Sequence, residues 1–149
     1  MTQLLQDLRA RTPAMLEVLH ALVEAESPTA DAAACAACAN LADTLAGDLL
    51  GRRAERLHAD GRVHLRWRFG PSPRVLLIGH LDTVWPLGTL DRWPFEVRDG
   101  RATGPGAFDM KAGVVQLLFA LAALESRDGV AVLLTTDEET GSPTARPLI

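Results

Sequence analysis

The stretch VLLIGHLDTV, residues 75–84, decides the fold. Val75, Leu76, Leu77 and Ile78 form a short continuous apolar run, as expected of a central strand covered on both faces. The run stops at Gly79, and His80 stands where strand gives way to loop. The same arrangement recurs in VAVLLTTDEE, residues 130–139, where a second buried-strand signal ends at Asp137, Glu138 and Glu139. In α/β sheets, ligand sites lie outside the carboxyl ends of strands, so chemistry-bearing side chains gathered there are placed as a catalytic site requires.

Working outward, Val63, Leu65, Trp67 and Phe69 alternate with His64, Arg66 and Arg68, the period of a half-exposed strand, and Gly70-Pro71-Ser72-Pro73 makes a turn. Residues 2–25 carry leucines at i, i+3, i+4 spacing. Thr12-Pro13 interrupts them, which predicts a main helix starting at Pro13 with Thr12 as its cap. The segment ESPT, residues 26–29, ends that helix and opens a second, running to about Gly51. A loop over residues 81–105 should hold a short hairpin around Phe95–Val97 and Arg101–Thr103, followed by a helix from about Met110 to Glu125. The expected fold is α/β: one domain over residues 1–149, with a mixed or mostly parallel central sheet flanked by helices and a site at its carboxyl edge.

Composition narrows the partners. With 48% hydrophobic and 23% charged residues the chain belongs among globular proteins. Its net charge of −4 and scattered arginines give no basic stripe for nucleic acid or an anionic membrane. Asp7, Arg9, Arg11 and Glu17 interrupt the N-terminal region, so it lacks the apolar core of a signal peptide, and no run reaches the roughly 18 apolar residues of a spanning helix. The expected location is the cytoplasm, with no nucleic-acid and no membrane partner. Cys35 and Cys38 form a C-x-x-C in an alanine-rich helix. Without a preceding strand or further ligands nearby, they read as helix packing rather than as a redox pair or half a zinc site.

Three segments place metal-competent side chains at element ends: GHLDTV, GPGAFDMKAG and TTDEETGS. If the backbone stays extended, His80 and Asp82 point to one side. The carboxylate could then hold one imidazole nitrogen and leave the other for a metal. Asp109 stands at the mouth of a helix after the flexible Gly104 and Gly106 and could bridge two cations. Glu138 and Glu139 are adjacent, splay apart, and can divide ligation from proton transfer. Singly, these are a satisfied His–Asp pair, a helix N-cap and a solvated loop. Together they match the needs of a zinc hydrolase.

These segments resemble the zinc aminoacylase and carboxypeptidase family, which includes glutamate carboxypeptidase, acetylornithine deacetylase and succinyl-diaminopimelate desuccinylase. The resemblance covers roughly Val75 to Ile149, with the opening helices and ESPT in keeping, and within the family it is most like glutamate carboxypeptidase. It implies His80 as ligand of one zinc ion, Asp109 bridging two, Glu139 as ligand of the other, Glu138 as general base and Asp82 orienting His80. It also implies attack by a metal-bound hydroxide on an amide carbonyl of an N-acyl amino acid or short peptide, with Zn2+ as cofactor and Co2+ as the alternative. The full-length parent could form a homodimer.

The chain ends ten residues after Glu139, ahead of the positions where the resemblance puts a further carboxylate ligand, a late histidine ligand and a small lid domain. The expectation is therefore the N-terminal part of a catalytic domain, with an exposed sheet edge prone to association. Whether this polypeptide turns over substrate alone is a separate matter; the alternative reading is a truncated, non-catalytic remnant or metal-binding module. A thiol redox module is a third and remote reading. His20, His58 and His64 read as surface or packing residues.

Overall fold

The computed structural model describes residues 3–149. The amphipathic N-terminal region forms two helices, α1 (Gln3–Ala10) and α2 (Thr12–Glu24). Thr12 does not cap α2: it is the helix's first residue, and its hydroxyl donates back to the Arg9 carbonyl at 2.7 Å. Helix α3 (Ala32–Leu50) begins where the Asp31 carboxylate accepts the amides of Ala33 and Ala34 at 3.0 and 2.9 Å. It ends at Gly51, whose φ of 75° suits glycine.

The main sheet has four strands: β1 (Glu55–Ala59), β2 (Arg62–Phe69), β3 (Val75–His80) and β6 (Val130–Thr135), in the order β1-β2-β6-β3. It is mixed. β1 and β6 pair antiparallel with β2, while β3 runs parallel to β6 in the register that sets His80 opposite Thr135. A separate hairpin, β4 (Glu96–Arg98) and β5 (Arg101–Thr103), lies where the loop pattern predicts it. Helix α4 (Ala112–Ala122) follows a wide turn over Ala107–Lys111.

One core joins the helices to one face of the sheet. Leu22 and Val23 of α2, Cys38, Ala42 and Ala46 of α3, and Val114 and Leu118 of α4 are fully buried with Leu65, Trp67 and Leu134. Cys35 and Cys38 are free thiols buried in α3, and burial pushes Cys35 up to about 11, which leaves it an inert packing residue at neutral pH. Among the described residues no helix is long and apolar enough to cross a membrane.

The structure corrects the reading of β3. It is an edge strand, not a central one, and Val75, Leu76 and Ile78 are 42–51% exposed. The interior strands are β2 and β6. Strand β2 also departs from a half-exposed pattern, because His64 on its outer face is fully buried. Residues 137–149 cover that position: His64 Nε2 meets Thr144 Oγ1 at 2.9 Å, and the Asp137 carboxylate accepts the amides of Thr144 and Ala145.

Candidate metal centre

The parallel pairing of β3 with β6 brings two strand exits side by side. His80 is the last residue of β3, and Leu81 then donates to the Thr135 carbonyl at 2.9 Å. Past the end of β6, Glu138 and Glu139 occupy a single short helical turn, Glu138–Thr140. The third contribution comes from the turn before α4. There Gly106 has φ of 70°, and a Cβ in its place would lie 2.4 Å from Thr83 Cγ2. Glycine lets this turn close over the β3 exit and present Asp109 to it.

Three side chains converge. One nitrogen of His80 and one oxygen each of Asp109 and Glu139 all lie within 4.8 Å of one another. His80 Nε2 is 3.1 Å from Asp109 Oδ1 and 3.8 Å from Glu138 Oε2. His80 is buried, Glu139 half-buried, and the carboxylates of Asp109 and Glu138 are 71% and 52% exposed. The group therefore has an imidazole floor and an open, acidic mouth.

Asp82 meets the second imidazole nitrogen with its backbone as well as its carboxylate. The atom nearest the second imidazole nitrogen is its backbone carbonyl, 2.9 Å from His80 Nδ1, with the carboxylate farther off at 3.6 Å. A carbonyl can only accept, so Nδ1 carries a proton; Nε2, 3.1 Å from Asp109 Oδ1, donates to that carboxylate when the ring is protonated and would turn its lone pair to a cation only on losing that proton. The Asp82 carboxylate, fully buried, reaches across to the other strand exit. Its Oδ1 accepts the Glu138 amide and its Oδ2 the Glu139 amide, both at 3.2 Å.

The electrostatics follow from crowding. Burial would lower His80, but neighbouring Asp82, through its carboxylate and its carbonyl, outweighs burial and raises the ring to about 9, with Asp109 contributing. Burial alone would raise the Asp82 carboxyl; the imidazole, Thr29 and the two amides hold it below its ordinary value instead. Glu139 is raised, chiefly by burial, with His80 opposing and Asp109, Asp82 and Glu138 adding to the rise. Four carboxylates around one imidazole repel each other, and a cation among them would relieve that repulsion.

Two residues outside the candidate donor set, Lys111 and Glu26, hold this geometry. Lys111 is buried, with its pKa pushed down by that burial, and donates to the carbonyls of Leu22 and Ala25 at 2.8 and 3.0 Å, tying the end of α2 to the Asp109 turn. The Glu26 carboxylate accepts the amides of Gly88 and Leu90, fixing the loop beyond the site. ESPT was a visible signal for the second of these. Lys111 lies beside Asp109 in GPGAFDMKAG, and the sequence assigns it no role beyond local structure.

Comparison with known proteins agrees with this geometry. Residues 76–149 match the model of peptidase family M20/M25/M40. Carboxypeptidase G2 of Pseudomonas sp. (strain RS-16) is 36% identical over 92% of the chain, and a succinyl-diaminopimelate desuccinylase of Aromatoleum aromaticum is 39% identical over 60%. The chain covers 35% and 26% of those two proteins, so it spans about a third or less of their length. Two solved structures share the fold: the M20 family metallo-carboxypeptidase Sso-CP2 of Sulfolobus solfataricus, with a TM-score of 0.74 at 22% identity, and human carnosine dipeptidase 1, with 0.69 at 21%. They superpose on 100% and 97% of this chain, which covers 34% and 36% of theirs. On its sequence match from residue 76 onward and a fold shared throughout, this chain belongs to peptidase family M20/M25/M40.

Proposed function

We propose that the chain supplies metal-binding and proton-transfer residues of a zinc-dependent amidohydrolase acting on an N-acyl amino acid or short peptide. The observation that carries this is the convergence of His80, Asp109 and Glu139 within 4.8 Å. Donors sharing one zinc ion each stand about 2.0–2.2 Å from it, so they lie within roughly 4 Å of one another. The three residues meet that need with small side-chain adjustments. One nitrogen and two carboxylates suit zinc, and cobalt would be accepted by the same donors. In a two-ion site Asp109, the most exposed of the three, would be the residue to hold both ions.

A bound zinc ion supplies Lewis acidity, acidifying water and polarising a carbonyl oxygen. The chain's own residues do the rest. His80 offers Nε2 because Asp82's carbonyl holds Nδ1. Glu138, with Oε2 3.8 Å from His80 Nε2, takes the proton of an attacking water and hands it to the leaving amide nitrogen. The Asp82 carboxylate fixes the backbone of both glutamates through their amides. The amide substrate class draws support from the names of the relatives: a carboxypeptidase, a desuccinylase and a dipeptidase.

The test is calorimetric titration of the purified chain with zinc, beside a variant carrying His80→Ala and Asp109→Ala, followed by assay on N-acyl amino acids and dipeptides. Tight binding that the variant loses, with amide hydrolysis, supports the proposal. Binding without hydrolysis would reduce the role of this polypeptide to metal capture. Binding that is weak and unchanged in the variant would sink it.

A further inference from the structure

The segment ESPT, residues 26–29, packs behind the site and is left without a task by the proposed chemistry. Ser27 Oγ donates to the Leu81 carbonyl at 2.6 Å, and Pro28 forms a parallel bridge with Thr83. The bridge is closed on both sides, by the Thr83 amide on the Ser27 carbonyl at 2.9 Å and the Thr29 amide on the Thr83 carbonyl at 3.0 Å. Arg62, from the start of β2, donates to the Thr29 carbonyl at 2.5 Å and to the Thr136 carbonyl at 3.0 Å. The Thr29 backbone is thereby locked between three elements, and its β-branched side chain has little rotamer freedom left.

The buried Thr29 hydroxyl lies 2.7 Å from Asp82 Oδ2 and 3.2 Å from the Thr83 carbonyl. Its single proton goes to the nearer, charged acceptor. We infer that Thr29 is a positioning residue, whose hydroxyl fixes the Asp82 carboxylate in the orientation that anchors the amides of Glu138 and Glu139. A carboxylate that has only amide donors to satisfy can turn about its side-chain bonds. With the hydroxyl on Oδ2, one orientation keeps Oδ1 on Glu138 and Oδ2 on Glu139. The chain of contacts runs from the α2–α3 connection, through a buried carboxylate at the β3 exit, to the glutamates beyond β6.

The link to zinc rests on the function proposed above, whereas the anchoring does not. The experiment therefore reads both, by amide hydrogen exchange of Glu138 and Glu139 in the metal-free chain and by zinc affinity, in wild type, Thr29→Val and Thr29→Ser. Thr29→Val should speed exchange at both glutamates about tenfold and weaken zinc binding by about 10–100-fold, the range for partners that orient metal ligands. Thr29→Ser, which keeps the hydroxyl, should restore both. Exchange unchanged in Thr29→Val overturns the inference, as does a Thr29→Ser that behaves like Thr29→Val, since a hydroxyl would then not suffice to hold the carboxylate. Should Thr29→Val fail to fold, unprotected Glu138 and Glu139 amides in wild type would overturn it equally, and protected ones that Thr29→Ser preserves would support it. Wild type that shows the exchange pattern but binds no zinc supports the positioning role and counts against the proposed function alone.

Discussion

His64 shows how a buried ring is kept neutral. Its Nδ1 accepts the Thr136 amide at 3.3 Å, so the proton sits on Nε2 and goes to Thr144, whose hydroxyl in turn reaches Asp137 Oδ2 at 2.8 Å. Protonating Nδ1 would break the Thr136 bond and bury a charge. Burial lowers the ring's pKa, with Asp137 opposing, Arg62 adding and Asp82 opposing. A depressed histidine binds fewer protons folded than unfolded, so stability falls as pH drops below about 6.5, the unfolded value. His64→Gln, which can still donate to Thr144, should therefore lose less stability than wild type between pH 7.5 and pH 5. Thermal melts of both across that range check this; a constant difference between them would refute it. At this scale the sequence made places legible: His80 at a strand end, Glu138 and Glu139 past another and Asp109 before a helix, and the structure brings His80, Asp109 and Glu139 within 4.8 Å. The sequence was unreadable where the task depends on which strand lies alongside. Asp82 follows β3 and anchors residues beyond β6, a partnership set only by the β3–β6 register.

Among the elements, β3 and β1 were read less well than the rest, for opposite reasons. The apolar run of β3 looks the same whether its outer face is covered or bare. Leu76 and Ile78 are 42% and 45% exposed on a strand with one side unpaired. Strand β1, Glu55–Ala59, carries polar residues on both faces and has no period to detect. Its one signal is Asp60-Gly61, both with positive φ, the turn pair of a two-residue hairpin. Strand β6, the hairpin and the body of helix α3 up to Gly51 were legible from their patterns, whereas α3 starts at Ala32 under an Asp31 cap rather than at ESPT. An exposed, apolar, unpaired strand is a template for association. Leu76→Lys should lower self-association at high concentration while changing stability by no more than about 0.5 kcal/mol, as surface substitutions usually do. Light scattering with urea unfolding checks both, and unchanged association would place the sticky surface elsewhere.

For the molecule as a whole, the candidate ligands come from three segments roughly thirty residues apart in sequence, so an ion held by all three binds only the folded chain. Zinc at a hundred times its dissociation constant should add about 2.7 kcal/mol, a rise of about 5–10 °C in melting temperature for a chain of this size. Chelator should reverse the rise, and the variant lacking His80 and Asp109 should show none. The strand order carries a different consequence, for synthesis. β6 lies between β2 and β3 but follows β3 by about fifty residues. At about 5–20 residues per second, a nascent chain holds β3 without a neighbour for roughly 3–10 seconds. During that wait VLLIGH is a bare apolar strand on the ribosome, open to a chaperone until β6 arrives.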